Sequence, residues 1–109
     1  MRTKIILYTI LHFFIFSISY AQTNVTVSGS IKDKNTKSVL PFVNVVLKTE
    51  KDSSFVSGTV TNEEGRFSLS KIKSGNYYLE ISYIGYKTTK QSLFIGNLTE
   101  YLDFKNIEI

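Results

Sequence analysis

The chain has 109 residues, which is room for one domain, and it contains no cysteine. That excludes a disulfide framework and a thiolate zinc site, so the fold must rest on its apolar core. The formal net charge of +4 does not imply nucleic acid. The cations are interspersed with acids and form no basic stripe, and Arg2 and Lys4 fall outside the folding unit.

The first segment, residues 1–21, has the order of a secretory leader. MRTK is a basic start, Ile5 to Ile18 is a predominantly apolar run, and Ser19 and Ala21 are small enough for cleavage before Gln22. The run falls short of the roughly 20 apolar residues that a membrane-spanning helix needs. No cysteine follows the cleavage position, which excludes lipid attachment there. The domain is then expected over residues 22–109, with 11 basic against 9 acidic side chains once Arg2 and Lys4 are removed.

From there the hydrophobic period is close to two. VTVSGSI sets Val25, Val27 and Ile31 on one face. PFVNVVLK sets Val43, Val45 and Leu47 against Phe42, Asn44 and Val46, with Pro41 opening the strand, where a ladder donor is not needed. FVSGTV spans Phe55 to Val60, and RFSL offers Phe67 and Leu69. NYYLEISY alternates Tyr77, Leu79, Ile81 and Tyr83; TTKQSLFI follows, and YLDFKNIEI carries Leu102 and Phe104. Seven short β-branched and aromatic runs predict an all-β, two-layer sandwich.

The breakers fit those strands. In TNEEGRF, Asn62 and Gly65 occupy the first and fourth positions of a type I turn, the glycine taking a positive φ. Gly75 and Asn76 are expected at the next reversal, and Gly85, between Ile84 and Tyr86, at the corner that follows Tyr83. The tyrosines have two readings. Either they pack the core, or Tyr78 and Tyr86 form a stacking platform for a ligand.

Catalytic equipment is sparse. The single histidine, His12, lies in the leader, so the domain has neither His nor Cys to serve as base or nucleophile. Glu63 and Glu64 are adjacent carboxylates whose side chains diverge, and the calcium-loop spacing is missing. NVT at Asn24 and NLT at Asn97 match a glycosylation sequon that matters only in a system that reads it. The expectation is a non-enzyme with no cofactor, no metal and no nucleic-acid partner.

Taken in order, Gly29, Leu40-Pro41 with Asn44 and Val45, Thr61 before Gly65-Arg66-Phe67, Gly75 with Tyr78, and Tyr83-Ile84-Gly85-Tyr86 form a pattern. It resembles the carboxypeptidase regulatory-like domain and extends over about Val25 to Ile95. Asn62 stands where that family commonly has aspartate, which leaves the turn chemistry intact. The resemblance implies a seven-stranded, Greek-key, transthyretin-like (prealbumin-like) sandwich. Similar domains directly after a leader open TonB-dependent, receptor-like outer-membrane barrels of Bacteroidota, in the periplasm, as non-catalytic accessories to uptake. Protein partners at the outer membrane are therefore expected. Residues 22–109 are consumed by the sandwich, so the chain is expected to be a fragment of such a receptor or a free-standing relative. A secreted spacer or carbohydrate-binding module is the alternative.

Overall fold

The computed structural model describes residues 24–109; the leader and its cleavage position lie outside the described residues. Seven strands follow in chain order: β1 (Val25–Lys32), β2 (Asn44–Thr49), β3 (Phe55–Val60), β4 (Arg66–Ile72), β5 (Gly75–Ser82), β6 (Thr89–Ile95) and β7 (Tyr101–Glu108). They form a three-stranded sheet ordered β4-β1-β7 and a four-stranded sheet ordered β3-β2-β5-β6. All pairings are antiparallel except β1 with β7, which is parallel.

The period-two pattern turns into a core because alternate side chains point to opposite faces. Val25, Val27 and Ile31 of β1 meet Val45 and Leu47 of β2 and Leu79 and Ile81 of β5, all fully buried. Val43, Phe67, Leu69, Ile72, Tyr77, Leu93, Ile95 and Ile107 complete the same cluster. Each fully buried Val, Leu or Ile contributes about 1.5–3 kcal/mol of transfer free energy, the main favourable term in a chain without disulfides.

Three boundaries differ from the sequence reading. Pro41 and Phe42 do not open β2; they make a turn, and the strand begins at Asn44. The reversal before β5 lies at Lys73–Ser74, whereas Gly75 and Asn76 are already paired with Ile95 and Phe94. Tyr83 lies just past the end of β5 and packs against the core from there. In each case ladder pairing, which the residue pattern does not display, moves the boundary by roughly one to three residues.

Two turns match. The Gly65 amide donates to the Asn62 carbonyl at 2.9 Å and Gly65 has φ +75°. The Asn62 side-chain oxygen accepts from the Glu64 amide at 3.0 Å and the Arg66 amide at 2.9 Å. At the β5–β6 corner the Tyr86 amide donates to the Tyr83 carbonyl at 3.1 Å, and Gly85 at φ +90° takes the third position of a type II turn.

Candidate functional site

One end of the sandwich gathers the β1–β2 loop, the β3–β4 turn and the β5–β6 turn. The register places them together: Asn44 pairs with both Val60 and Ser82, so Phe42 and Val43, Thr61, and Tyr83 and Ile84 all lie just beyond the same edge of the four-stranded sheet.

At its centre is Thr61, a fully buried polar residue. Its hydroxyl accepts from the Val43 amide at 2.9 Å and donates to the Leu40 carbonyl at 2.7 Å. It therefore bridges the two groups that would close the Leu40–Val43 turn on each other. Its backbone adds two bonds: the Phe42 amide donates to the Thr61 carbonyl at 2.9 Å and the Thr61 amide to the Val43 carbonyl at 3.0 Å. Within this clamp Pro41 supplies the fixed φ of a second turn position. Phe42 takes the third at φ +60°, where glycine or asparagine is the ordinary choice.

The conformation of Phe42 costs on the order of 1–3 kcal/mol and persists because its surroundings over-determine it. Phe42 is 62% exposed, so packing of the side chain offsets little of that strain. Other apolar groups surround the same end, with Val39, Val60 and Ile84 all exposed.

A second set of contacts fixes the neighbouring turns. Asp33, just after β1, accepts the Asn35 and Thr36 amides on one oxygen, each at 2.8 Å. Its other oxygen accepts the Tyr86 hydroxyl. Those bonds, led by the one from Tyr86, hold the Asp33 carboxyl down to about 2. The same bond pushes the Tyr86 phenol upward. Tyr83 and Tyr86 lie with ring centroids 5.7 Å apart and planes 39° apart. Lys37 reaches Glu108 at 2.8 Å and ties the β1–β2 loop to the end of β7.

The two tyrosines considered for stacking are placed apart in role. Tyr78 lies on the outer face of β5 and is only 8% exposed, with the Lys90 ammonium 5.2 Å from its ring centroid. It is packed rather than presented. Tyr86 is half-buried with its hydroxyl committed to Asp33. Tyr77 is buried in the core and donates its hydroxyl to the Lys73 carbonyl at 2.8 Å. Of the glycines singled out, Gly65 and Gly85 serve turns of this end. Gly75 starts β5 with its α-carbon facing the Tyr77 ring. Glu63 and Glu64 are exposed in the β3–β4 turn, and no group of three His, Cys, Asp or Glu side chains gathers among the described residues.

Sequence reasoning missed Phe42 and Asp33. Pro-Phe before a valine run has the look of a strand entry, and the Asp33–Tyr86 pair spans 53 positions. Thr61 had a signal, its place in the ordered pattern before Gly65-Arg66-Phe67, but its hydroxyl geometry needs the fold.

Two packed sheets in this order define a transthyretin-like β-sandwich. The chain belongs to the CarboxypepD_reg-like domain family, whose model matches residues 27–107. No curated protein sequence matches it. Among solved structures it is similar to the Bacillus anthracis TIE protein, with 18% identity and a TM-score of 0.65 over 79% of this chain and 16% of that one. The major pilin subunit BcpA of Bacillus cereus, in its D312A form, gives 19% identity and a TM-score of 0.60 over 79% of this chain and 30% of that one. Klebsiella pneumoniae 5-hydroxyisourate hydrolase gives 20% identity and a TM-score of 0.59 over 82% and 88%. At such identities the likeness is one of fold alone. This chain spans less than half the length of the first two.

Proposed function

We propose that this chain is a non-catalytic protein-contact module of the cell envelope. It is exported by its leader and stands on the periplasmic side of the outer membrane. There it serves as the N-terminal domain of a TonB-dependent, receptor-like protein engaged in uptake. The observation that carries the contact reading is Phe42, an aromatic side chain 62% exposed on a strained backbone at φ +60° that the Thr61 clamp holds in place. An exposed, pre-organised aromatic loses little conformational entropy on docking, which makes it a favourable anchor for a protein partner. The family membership and the leader-like first segment support the envelope placement.

The test is a photo-crosslinking residue placed at position 42 in the chromosomal gene, with Lys51 at the opposite end of the sandwich as control. The expected result is an adduct with an outer-membrane protein from position 42 and none from position 51. Tagging after Gln22 and fractionating the cell reads out the placement. Equal labelling from both positions, or a tagged species confined to the medium, overturns the reading.

A further inference from the structure

We propose that the β3 edge pairs with the β3 edge of a second copy of this chain, joining the two four-stranded sheets into one antiparallel sheet across a two-fold axis. The inference rests on the reading of the chain as a protein-contact module and names a partner for it.

The sheet order leaves four edges: β3 and β6 in one sheet, β4 and β7 in the other. An edge strand presents unpaired amides and carbonyls, and folded proteins guard such edges with charge, proline or bulges. Three are guarded here. β4 carries Arg66 and Lys71, the latter at φ +60° where its pairing with β1 slips. β7 carries Asp103 and Lys105, the latter also at φ +60°, beside its own slip in register. β6 carries Lys90, exposed on the sheet face with its ammonium over the Tyr78 ring. The rest of β6 is neutral and Phe94 is 66% exposed, so its guard is the weakest of the three. β3 reads FVSGTV, with no charge and no proline. Its one slip in register lies at the Phe55 end and leaves Ser57 to Val60 in unbroken pairing with Leu47 to Asn44.

This unguarded edge is also apolar. Phe55 is 69% exposed, Val60 51% and Val56 38%. A neutral, β-branched and aromatic strand of six residues with such exposure is a template for strand addition.

The occupant follows from the strand itself. Gly58 faces outward beneath the Phe55 ring, since a β-carbon built on it would lie 3.3 Å from that ring. Phe55, Gly58 and Val60 therefore share the outer face. Set two such strands antiparallel with Gly58 opposite Gly58, and directly opposed residues share a face. The slip makes Val56 the extra residue and sets Phe55 two ladder steps from Gly58. Val60 of each copy then meets Phe55 of the other, and Ser57 meets Thr59 on the reverse side. At the centre no side chain stands between the backbones. No like charges are brought together, because the strand has none, and both halves of the contact are the same patch, as a two-fold interface requires. The second copy supplies a neutral strand of matching alternation without any further partner.

Sedimentation equilibrium of the exported chain over a wide concentration range tests the pairing. The wild type is expected to approach twice its monomer mass as concentration rises. Phe55→Lys and Val60→Glu each set a charge against an apolar partner and should hold the chain at monomer mass. The double variant should dimerise again, since each lysine then faces a glutamate. Both substitutions are on exposed side chains, and circular dichroism of all three variants checks folding. A second measurement needs no variant: amide exchange of Gly58 and Val60, which face the free edge, should slow with rising concentration while β6 stays unchanged. A wild type that remains monomeric with concentration-independent exchange overturns the proposal. So does a dimer indifferent to both single substitutions, or one that the double variant fails to restore. Such a result leaves the crosslinking test at Phe42 standing by itself, so failure of the pairing and failure of the contact reading are distinguishable.

Discussion

The Tyr86 hydroxyl donates to the Asp33 carboxylate, fastening the β5–β6 turn to the loop that leaves β1. The bond has a signed consequence in acid. Asp33 is held down to about 2 from an ordinary 3.8, so its bonds stabilise the fold at pH values above the ordinary carboxylate range. That contribution is lost as pH falls from near 3.8 through about 2. Tyr86→Phe removes the largest cause of the shift. The expected outcome is a smaller loss of melting temperature over that pH interval than in the wild type, measured by thermal unfolding at a series of pH values.

The alkaline side provides an independent check. Tyr86 is raised above its ordinary 10.0, first by the bond to Asp33. A group raised in the folded state adds stability that is complete below its ordinary value and is lost as pH climbs through the folded one. In a spectrophotometric titration of tyrosinate, one ionisation should lag in the wild type. It should move to lower pH in Asp33→Asn.

Thr61→Val keeps the shape of the side chain and deletes its hydroxyl. The Val43 amide and the Leu40 carbonyl then lose their partner. Each buried group left unpaired costs roughly 1–3 kcal/mol. Thr61→Ser retains the hydroxyl and should lose less. Urea unfolding of the two variants separates the hydroxyl from the methyl group.

Gly65 and Gly85 both have left-handed backbones, at φ +75° and +90°, yet substitution should not cost the same. A β-carbon at Gly85 meets nothing within 4 Å, whereas one at Gly65 would sit 2.9 Å from the Ile31 carbonyl oxygen. Gly85→Ala therefore carries only the conformational penalty, about 1–2 kcal/mol. Gly65→Ala adds displacement of backbone that the Ile31 amide holds by its 2.8 Å bond to the Gly65 carbonyl, and it should be the more damaging of the two by denaturant midpoint. Equal midpoints would mean that the Ile31 backbone yields freely.

Phe42→Asn should run the other way. Asparagine tolerates φ near +60° far better than phenylalanine, and the lost ring is mostly exposed. The expected outcome is an unchanged or higher melting temperature, by up to about 1 kcal/mol of stability, together with loss of the position-42 contact. A fall in stability would show that the ring packs.

Much of the fold is legible in the residues because alternation and burial are one phenomenon. Val25, Val27 and Ile31, or Leu79 and Ile81, could face inward only in strands of that phase. The Asn62–Gly65 turn is equally local. What lies beyond the sequence depends on contacts distant along the chain. Phe42 adopts its backbone angle because a hydroxyl 19 positions away in the numbering, that of Thr61, replaces the turn's own hydrogen bond. Tyr78 is covered because β6 lays Lys90 over it. The bareness of β3 as an edge is visible only once the sheet order is known.

The parallel pairing of β1 with β7 has a mechanical meaning. Its register runs from Thr26 opposite Tyr101 to Lys32 opposite Glu108, and Ile109 extends it with bonds to Lys32 and Lys34. The start of β1 and the end of β7 thus sit at opposite ends of the sandwich. Tension applied between those two points pulls the strands past each other lengthwise, so the bonds between them bear the load together instead of opening one at a time. Drawn taut, the domain resists as a shear-loaded clamp rather than a zipper.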